Sequence, residues 1–153
     1  MTRSAYLIAF ILFFSVGDSA FGGSDFRKST LSVITDSGKH RFAVEISETP
    51  DQRRRGLQGR QELPPGTGML FDFKNNQPVT MWMQNTPVSL DMLFIAADGS
   101  IVNIASGTKP FSLDYITSDG PVRAVLEILA GTAKILGIRK GDRIVHDTFN
   151  TMK

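Results

Sequence analysis

The sequence predicts a single small, mostly β, closed barrel-like domain with one or two short helices. Three observations support this fold class. Several segments alternate apolar and polar residues with a period of two, as half-buried strands do. The dipeptide Asp98-Gly99 separates two β-rich runs, which is typical of a tight hairpin. The chain has no cysteine, so the packing of one apolar core must supply its stability.

The N-terminal residues have the pattern of a secretory signal peptide. Arg3 supplies positive charge, residues 5–16 form an apolar run, and Ala20 and Gly22 are small residues at the spacing of a cleavage site. The alternative is a membrane anchor, but the apolar run is well short of the ~20 residues that a spanning helix needs. We therefore expect residues 1–22 to be removed, a periplasmic or secreted location, and no stable membrane span in the mature chain.

The remaining residues, 23–153, suit a single domain. A chain of about 130 residues is long enough for one hydrophobic core and too short for two. The formal net charge of +2 is too balanced to indicate binding to nucleic acid. We expect no nucleic-acid partner.

The first predicted elements are a hairpin and a short helix. Residues 31–34 and 41–47 have the pattern of strands, and the polar residues 36–39 that of the turn between them. Thr49 is the predicted N-cap of the helix, with Gln52 completing a capping box. The helix is expected to end near Gly59. The helix contains three arginines, and a fourth follows it: Arg53, Arg54, Arg55 and Arg60. These side chains form either a solvated face or an anion-binding cluster.

Trp82, the only tryptophan of the chain, lies in a strand predicted over residues 79–84. Alternation places it on one face with Thr80 and Gln84. An indole among polar side chains, followed by the polar turn of residues 85–87, is typical of a wall on which a ligand stacks. It is also typical of a tryptophan that closes the end of a small barrel, and that packing role requires Trp82 to be more than ~95% buried.

Further strands are predicted over residues 69–73, 91–96, 101–105 and 122–129, with a last one after the Gly141-Asp142 turn. Residues 122–129 fit a helix or a strand, and their β-branched content favours a strand. We expect Arg123 and Glu127 to form an ion pair. Thr132 is predicted to cap a last short helix that Gly137 ends.

Asp91 stands at the mouth of a strand that is apolar on both faces, and such a strand should be central in the sheet. Its carboxyl group either accepts N–H bonds in the turn of residues 85–90 or takes part in catalysis. Both interpretations stay open at the level of the sequence.

Several short motifs occur in order along nearly all of the mature chain. They are Arg55-Gly56-Leu57 with Arg60, Gly68-Met69-Leu70-Phe71, Trp82-Met83-Gln84-Asn85-Thr86, Leu90-Asp91-Met92-Leu93-Phe94-Ile95, Asp98-Gly99, Val125-Leu126-Glu127, and Gly137-Ile138 through Gly141-Asp142. In these motifs the chain resembles the bacterial and archaeal domain of unknown function 192 (DUF192) family, also called uncharacterised protein family 0127. The resemblance implies a small closed β fold with one or two short helices, and no established activity.

The usual catalytic arrangements are poorly supported. A serine nucleophile would need His40 or His146, and the chain has no Gly-x-Ser-x-Gly motif. We interpret both histidines as surface side chains. The sequence has neither the paired histidine spacing of a metal site nor the glycine-rich loop of a nucleotide site. We therefore expect no metal and no cofactor.

Three functions follow from these patterns. The first is an exported ligand-binding or accessory module for a small polar or sugar-like ligand or an envelope component, with a site formed by Trp82, Asn85, Thr86, Asp91, Arg55 and Arg60. The second is a carbohydrate-active hydrolase in which Asp91 and Glu127 act as a pair, about 5 to 10 Å apart. The third is a structural or partner-docking role in the envelope, which an exposed apolar patch would favour.

Overall fold

The computed structural model describes residues 26–149, whose elements follow the predicted order. The strands are β1 (Arg27–Thr35), β2 (Gly38–Ser47), β3 (Thr67–Gln77), β4 (Thr80–Met81), β5 (Leu90–Ile95), β6 (Ile101–Ala105), β7 (Ile116–Thr117), β8 (Val122–Leu129) and β9 (Arg143–Val145). The helices are α1 (Pro50–Arg55), α2 (Thr132–Leu136) and a 3-10 turn (Asp147–Phe149). The predicted mostly β fold class is confirmed. The predicted signal peptide lies outside the described residues.

Seven strands form one sheet in the order β6-β5-β8-β3-β2-β1-β9, and β4 pairs with β7 in a small second sheet. Only β2 and β3 are parallel within the described part of the sheet, because α1 and its flanking loops carry the chain back between them. The large sheet curls into a half-barrel. Its edge strands meet at one end, where Ser100 bridges Arg143 and the Ile101 N–H donates to the Asp142 carbonyl over 2.8 Å.

The turns confirm the local predictions that rest on special backbone geometry. Gly99 has φ 86, and the Asp98 carboxylate accepts bonds from the N–H (2.9 Å) and hydroxyl (2.6 Å) of Ser100. These bonds from Ser100 lower the pKa of Asp98. The hairpin at residues 36–39 and the capping box of Thr49 and Gln52 are also as predicted.

The strands β3, β5 and β8 are apolar on both faces, so this part of the sheet lies between two cores. The inner core fills the half-barrel and includes Val33, Phe42, Ile46, Leu70, Leu93 and Leu126. The outer core lies between the sheet and the segments that cover it, α1 with the following loop and residues 79–90; it includes Leu57, Met69, Phe71, Met83, Met92 and Val125. The alternation in β3 shows this division, since Leu70 packs inward while Met69 and Phe71 pack outward.

Two local predictions are wrong. The strand expected over residues 79–84 is only the two residues of β4, because the Met83 N–H donates to the Ser112 carbonyl (3.0 Å) and Asn85 then turns the chain with φ 52. The N-cap of α2 is Gly131 with φ 84, and Thr132 is its first helical residue. Gly137 ends α2 as predicted, with φ 69. In the described part of the chain, no helix is long and apolar enough to cross a membrane.

Candidate functional site

A cavity of about 320 Å³ opens on the outer face of the sheet. We call it the Trp82 pocket. Its walls come from α1 and the turn after it, from the outer face of β3 and β8, and from β4 with the turn that follows. The side chains that define its chemistry are Arg53, Arg54, Arg55, Gln58, Phe71, Phe73, Trp82, Gln84, Thr86 and Glu127. The volume and the mixture of aromatic and polar side chains suit a small ligand.

Trp82 forms one wall of this pocket and is 45% exposed. The alternative interpretation, in which Trp82 closes the barrel end, is therefore wrong, since that role required almost complete burial. Trp82 is exposed because successive side chains after β4 point in alternate directions. Met83 is fully buried in the outer core, so its neighbour Trp82 is directed away from that core and towards the cavity.

Glu127 lines the pocket from the middle of the sheet. It lies on β8, opposite Met69 of β3 and Met92 of β5, and is only 4% exposed. It makes no hydrogen bond or ion pair with any other residue in the range 26–149. Burial without compensation raises the pKa of Glu127 to about 8. At neutral pH the side chain is thus mainly a neutral acid, which can both donate and accept a hydrogen bond.

The predicted ion pair between Arg123 and Glu127 is wrong. Residues four apart along a strand are separated by about 13 Å, too far for direct contact between these groups. The Arg123 guanidinium instead donates to Asp72, with Nε 2.8 Å from Oδ1, and Lys74 Nζ is 2.8 Å from Oδ2. Burial alone would raise the pKa of Asp72, but the bonds from Arg123 and Lys74 outweigh it and lower the pKa to about 2.

Asp91 does not belong to the pocket. It is fully buried, and its two carboxyl oxygens accept bonds from the backbone N–H groups of Gly107 and Ala133, both over 2.9 Å. Asp91 pairs with Ile128, the residue after Glu127, so the two acids lie on opposite faces of the sheet. The carboxyl pair that the hydrolase hypothesis requires is not formed. Asp91 instead holds the loop at Gly107 and the start of α2 together through hydrogen bonds.

The arginines of α1 border the pocket, each with its own contact. Arg53 Nη1 donates to the carbonyl oxygens of Glu48 (2.7 Å) and Asp72 (2.9 Å). Arg54 forms an ion pair with Asp51. The Arg53 bond to the Asp72 carbonyl holds the end of α1 against β3, whereas the Arg54 pair lies within the helix and is highly exposed.

Arg55 also lines the pocket, whereas Arg60 does not. The Arg55 guanidinium lies over the Phe26 ring, 4.5 Å from its centroid. Arg60 forms an ion pair with Glu45 and borders a separate cavity between β2 and the loop at Leu63. The four arginines that the anion-binding interpretation grouped together are therefore divided, and only the three of α1 line the Trp82 pocket.

Asn85 and Thr86 have different roles. Asn85 does not line the pocket but connects its two walls: its side chain donates to Gln58 over 3.3 Å, and its carbonyl accepts from the Gly59 N–H over 2.8 Å. Thr86 lines the pocket and is buried. Its hydroxyl donates to the Gln84 carbonyl over 3.1 Å.

Gly56 permits the close approach of α1 to the sheet. It ends α1 with φ 46 and ψ −133, a conformation that side chains resist. A Cβ atom there would lie 3.0 Å from the Phe71 ring. Glycine at this position therefore lets the helix end turn directly over Phe71, which forms part of the pocket surface.

The histidines lie away from the pocket. The prediction that both are on the surface is wrong for His146, which is buried with Nε2 2.9 Å from the Ser29 hydroxyl; burial lowers the pKa of His146. His40 is half-buried and contacts the Thr35 hydroxyl over 3.0 Å. Among residues 26–149 there is no group of three or more acidic or histidine side chains that could hold a metal ion.

Of the residues that the sequence predicts at one site, Trp82, Thr86 and Arg55 line the same cavity, and several of their neighbours in it were not predicted. Gln84 could have been found, because it shares the predicted strand face of Trp82. Arg53 and Arg54 belong to the helix that was already a candidate for anion binding. Gln58 carried no local signal, since only the fold brings the turn after α1 against residues 82–86.

Comparison with known proteins gives a family and a fold. The model of the DUF192 family, described as "Uncharacterized ACR", matches residues 32–146. A crystal structure from Sinorhizobium meliloti, described as a "putative transcription regulator", is 46% identical with a TM-score of 0.78 and covers 80% of this chain and 96% of that chain. A crystal structure of a protein of unknown function from Novosphingobium aromaticivorans is 34% identical with a TM-score of 0.79, covering 82% and 89%. No curated protein matched.

Proposed function

The chain belongs to the DUF192 family, and on the basis of its pocket we propose that it is an exported module that binds a small polar ligand beside Trp82. One observation carries the proposal. Glu127 is a buried carboxyl group that lines an open cavity and has no partner among residues 26–149. Buried polar side chains nearly always have a hydrogen-bond partner. The open cavity that Glu127 lines gives its carboxyl group access to such a partner, either water or a ligand.

The other lining residues support the same function. Trp82 offers an exposed indole face on which a ring can stack, and Gln58, Gln84 and Thr86 offer amide and hydroxyl groups. An aromatic surface with a few polar groups around it is the usual composition of a site for a small molecule. A sugar-like or other polar cyclic ligand fits this composition.

The exported location rests on the N-terminal pattern, and it makes a direct prediction. We expect the mature chain to begin close to Gly23, after the small residues Ala20 and Gly22. The intact mass of the protein recovered from the periplasm or the medium of an expressing bacterium measures this. A chain that keeps residues 5–16 and stays with the membrane would contradict the exported location.

Replacing Trp82 by Ala is expected to lower ligand affinity by at least about tenfold while leaving the protein folded, because this indole is a pocket wall and not a core side chain. The test is a screen of small polar cyclic compounds by calorimetry and ligand-observed NMR, with circular dichroism to monitor folding. Phe111→Ala is the matched control, since Phe111 is an exposed aromatic residue outside the pocket. If Trp82→Ala binds every hit as tightly as the unmodified protein, the pocket is not the binding site.

A partner-docking role is the second candidate, and a specific observation favours it. Phe111, Leu113 and Tyr115 are each more than half exposed on one loop. Phe111 has φ 60, a conformation that costs energy in a bulky residue and that occurs at functional sites. Sedimentation of the protein over a range of concentrations would show whether a second copy of the chain covers this loop.

A further inference from the structure

We propose that the Trp82 pocket binds a small organic acid built on a ring, with the anionic group beside the arginines of α1 and a neutral polar group at Glu127. This inference rests on the proposed ligand-binding function and specifies the charge and orientation of the ligand. It follows from the charges on the pocket wall, the state of Glu127 and the position of Trp82.

The charged groups on the α1 side of the pocket are all positive. Arg53, Arg54 and Arg55 line it, and Glu127 is the only acidic lining residue in the described part of the chain. Asp51 pairs with Arg54, but both side chains are highly exposed, so their attraction is weak and a ligand can displace it. Guanidinium groups bind carboxylates and phosphates through paired N–H donors. This side of the pocket therefore attracts an anion.

Glu127 would oppose an anion if it were ionised, but burial keeps most of it neutral at pH 7. Arg53 and Arg54 have their own partners, the Glu48 and Asp72 carbonyl groups and the Asp51 carboxylate, and burial raises the pKa of Glu127 to about 8. As a neutral acid, it can donate a hydrogen bond to a hydroxyl or carbonyl group of the ligand. A cationic ligand fits less well, because it would meet the arginines and would have to ionise a buried carboxyl group.

The ligand's ring follows from what lies between these two ends. Trp82 forms one wall, and Phe71 and Phe73 lie on the sheet surface. Flat or ring-shaped groups gain most from aromatic surfaces of this kind. A ring with an acidic substituent at one end and a hydroxyl at the other would contact all three parts of the pocket.

Binding should depend on pH through Glu127. The neighbours that face it from β3 and β5 are Met69 and Met92, which do not titrate. The lining residues from α1 and from β4 onward are the three arginines and the uncharged side chains of Gln58, Thr80, Met81, Trp82, Gln84 and Thr86. Arginine stays charged at all relevant pH values. Within the described residues, Glu127 is thus the pocket group that ionises near pH 8.

The test uses two matched pairs of probes and calorimetry on the mature protein. One pair is 4-(hydroxymethyl)benzoate and 1,4-benzenedimethanol, and the other is galacturonate and galactose. In at least one pair we expect the acid to bind about tenfold or more tightly than its neutral partner. Its affinity should fall about tenfold from pH 7 to pH 9, since only the protonated fraction of Glu127 accepts the anion. Binding at about pH 9 should take up protons, measured in two buffers of different ionisation enthalpy.

The variant Glu127→Gln cannot ionise, and its affinity for the acid is expected to stay constant between pH 7 and pH 9. A pH dependence in this variant equal to that of the unmodified protein would overturn the assignment of Glu127. Equal binding of both members of each pair, or tighter binding of 4-(hydroxymethyl)benzylamine, would overturn the acid as ligand but leave the pocket as a binding site. If the only compounds that bind are not ring acids, the acid as ligand is likewise overturned, and the pocket remains a binding site. If no compound of the screen binds, the proposed function itself fails.

Discussion

Replacing Glu127 by Gln is expected to stabilise the protein by about 3 kcal/mol at neutral pH. The folded state raises the pKa of Glu127 from 4.5 to about 8, so folding favours its protonated form. The stability that comes from this group is complete below pH 4.5 and is lost as the pH rises towards 8, at about 1.4 kcal/mol per pH unit. Gln is nearly isosteric with the neutral acid and does not titrate, so the variant avoids this loss.

Urea unfolding of both proteins at about pH 4.5, 7 and 9 measures the effect. The two stabilities should be similar at the lowest pH and diverge as the pH rises. Glu45→Gln is the matched control, because Glu45 lies on the same face and in the same cross-strand row, separated from Glu127 by Met69. Glu45 is ion-paired with Arg60, so its replacement should bring no gain. A variant at Glu127 that is no more stable than the unmodified protein at pH 9 would contradict the burial of an unpaired acid.

A buried acid that lowers stability at neutral pH needs a reason to be there. Residues that break a local rule of folding are characteristic of functional sites, where a binding role outweighs their cost. Glu127 stands between two methionines in the middle of the sheet, a position that an apolar residue would fill without penalty. Unlike its two cross-strand neighbours, Glu127 lines the open cavity.

The fold was predictable because its evidence is local. Alternation with a period of two, the Asp98-Gly99 turn and the capping box at Thr49 each depend on residues close together in the chain, and all three are confirmed. The strand predicted at residues 79–84 failed for the opposite reason. A carbonyl group from Ser112, far along the chain, takes the N–H of Met83 and ends the strand.

The site was predictable only in part, because its geometry depends on register between distant strands. The sequence placed Asp91 beside Trp82 by proximity in the chain, whereas its real partners are Gly107 and Ala133. It gave Glu127 the partner Arg123, although residues four apart on the predicted strand are about 13 Å apart. One feature of the sequence did indicate its burial. Glu127 interrupts a predicted strand that is apolar on both faces, so its side chain is buried whichever face it lies on.

Asp91→Ala is expected to destabilise the protein by about 3 kcal/mol or more. The change removes the carboxyl oxygens that accept hydrogen bonds from the N–H groups of Gly107 and Ala133. Ala133 lies at the start of α2. The Asp91 side chain has no exposure to water. Each buried donor left without a partner costs about 1–3 kcal/mol, and the lost side chain leaves a cavity. Urea unfolding gives the magnitude.

The matched control is Asp98→Ala, which also removes a carboxyl group that accepts two hydrogen bonds, but in an exposed hairpin where water can replace it. Its cost should stay near 1 kcal/mol. Because Asp91 faces away from the Trp82 pocket, the folded fraction of Asp91→Ala should bind any pocket ligand with unchanged affinity. Full stability combined with lost binding would reverse this assignment and place Asp91 at the site, since a residue that only connects loops can affect the ligand only through folding.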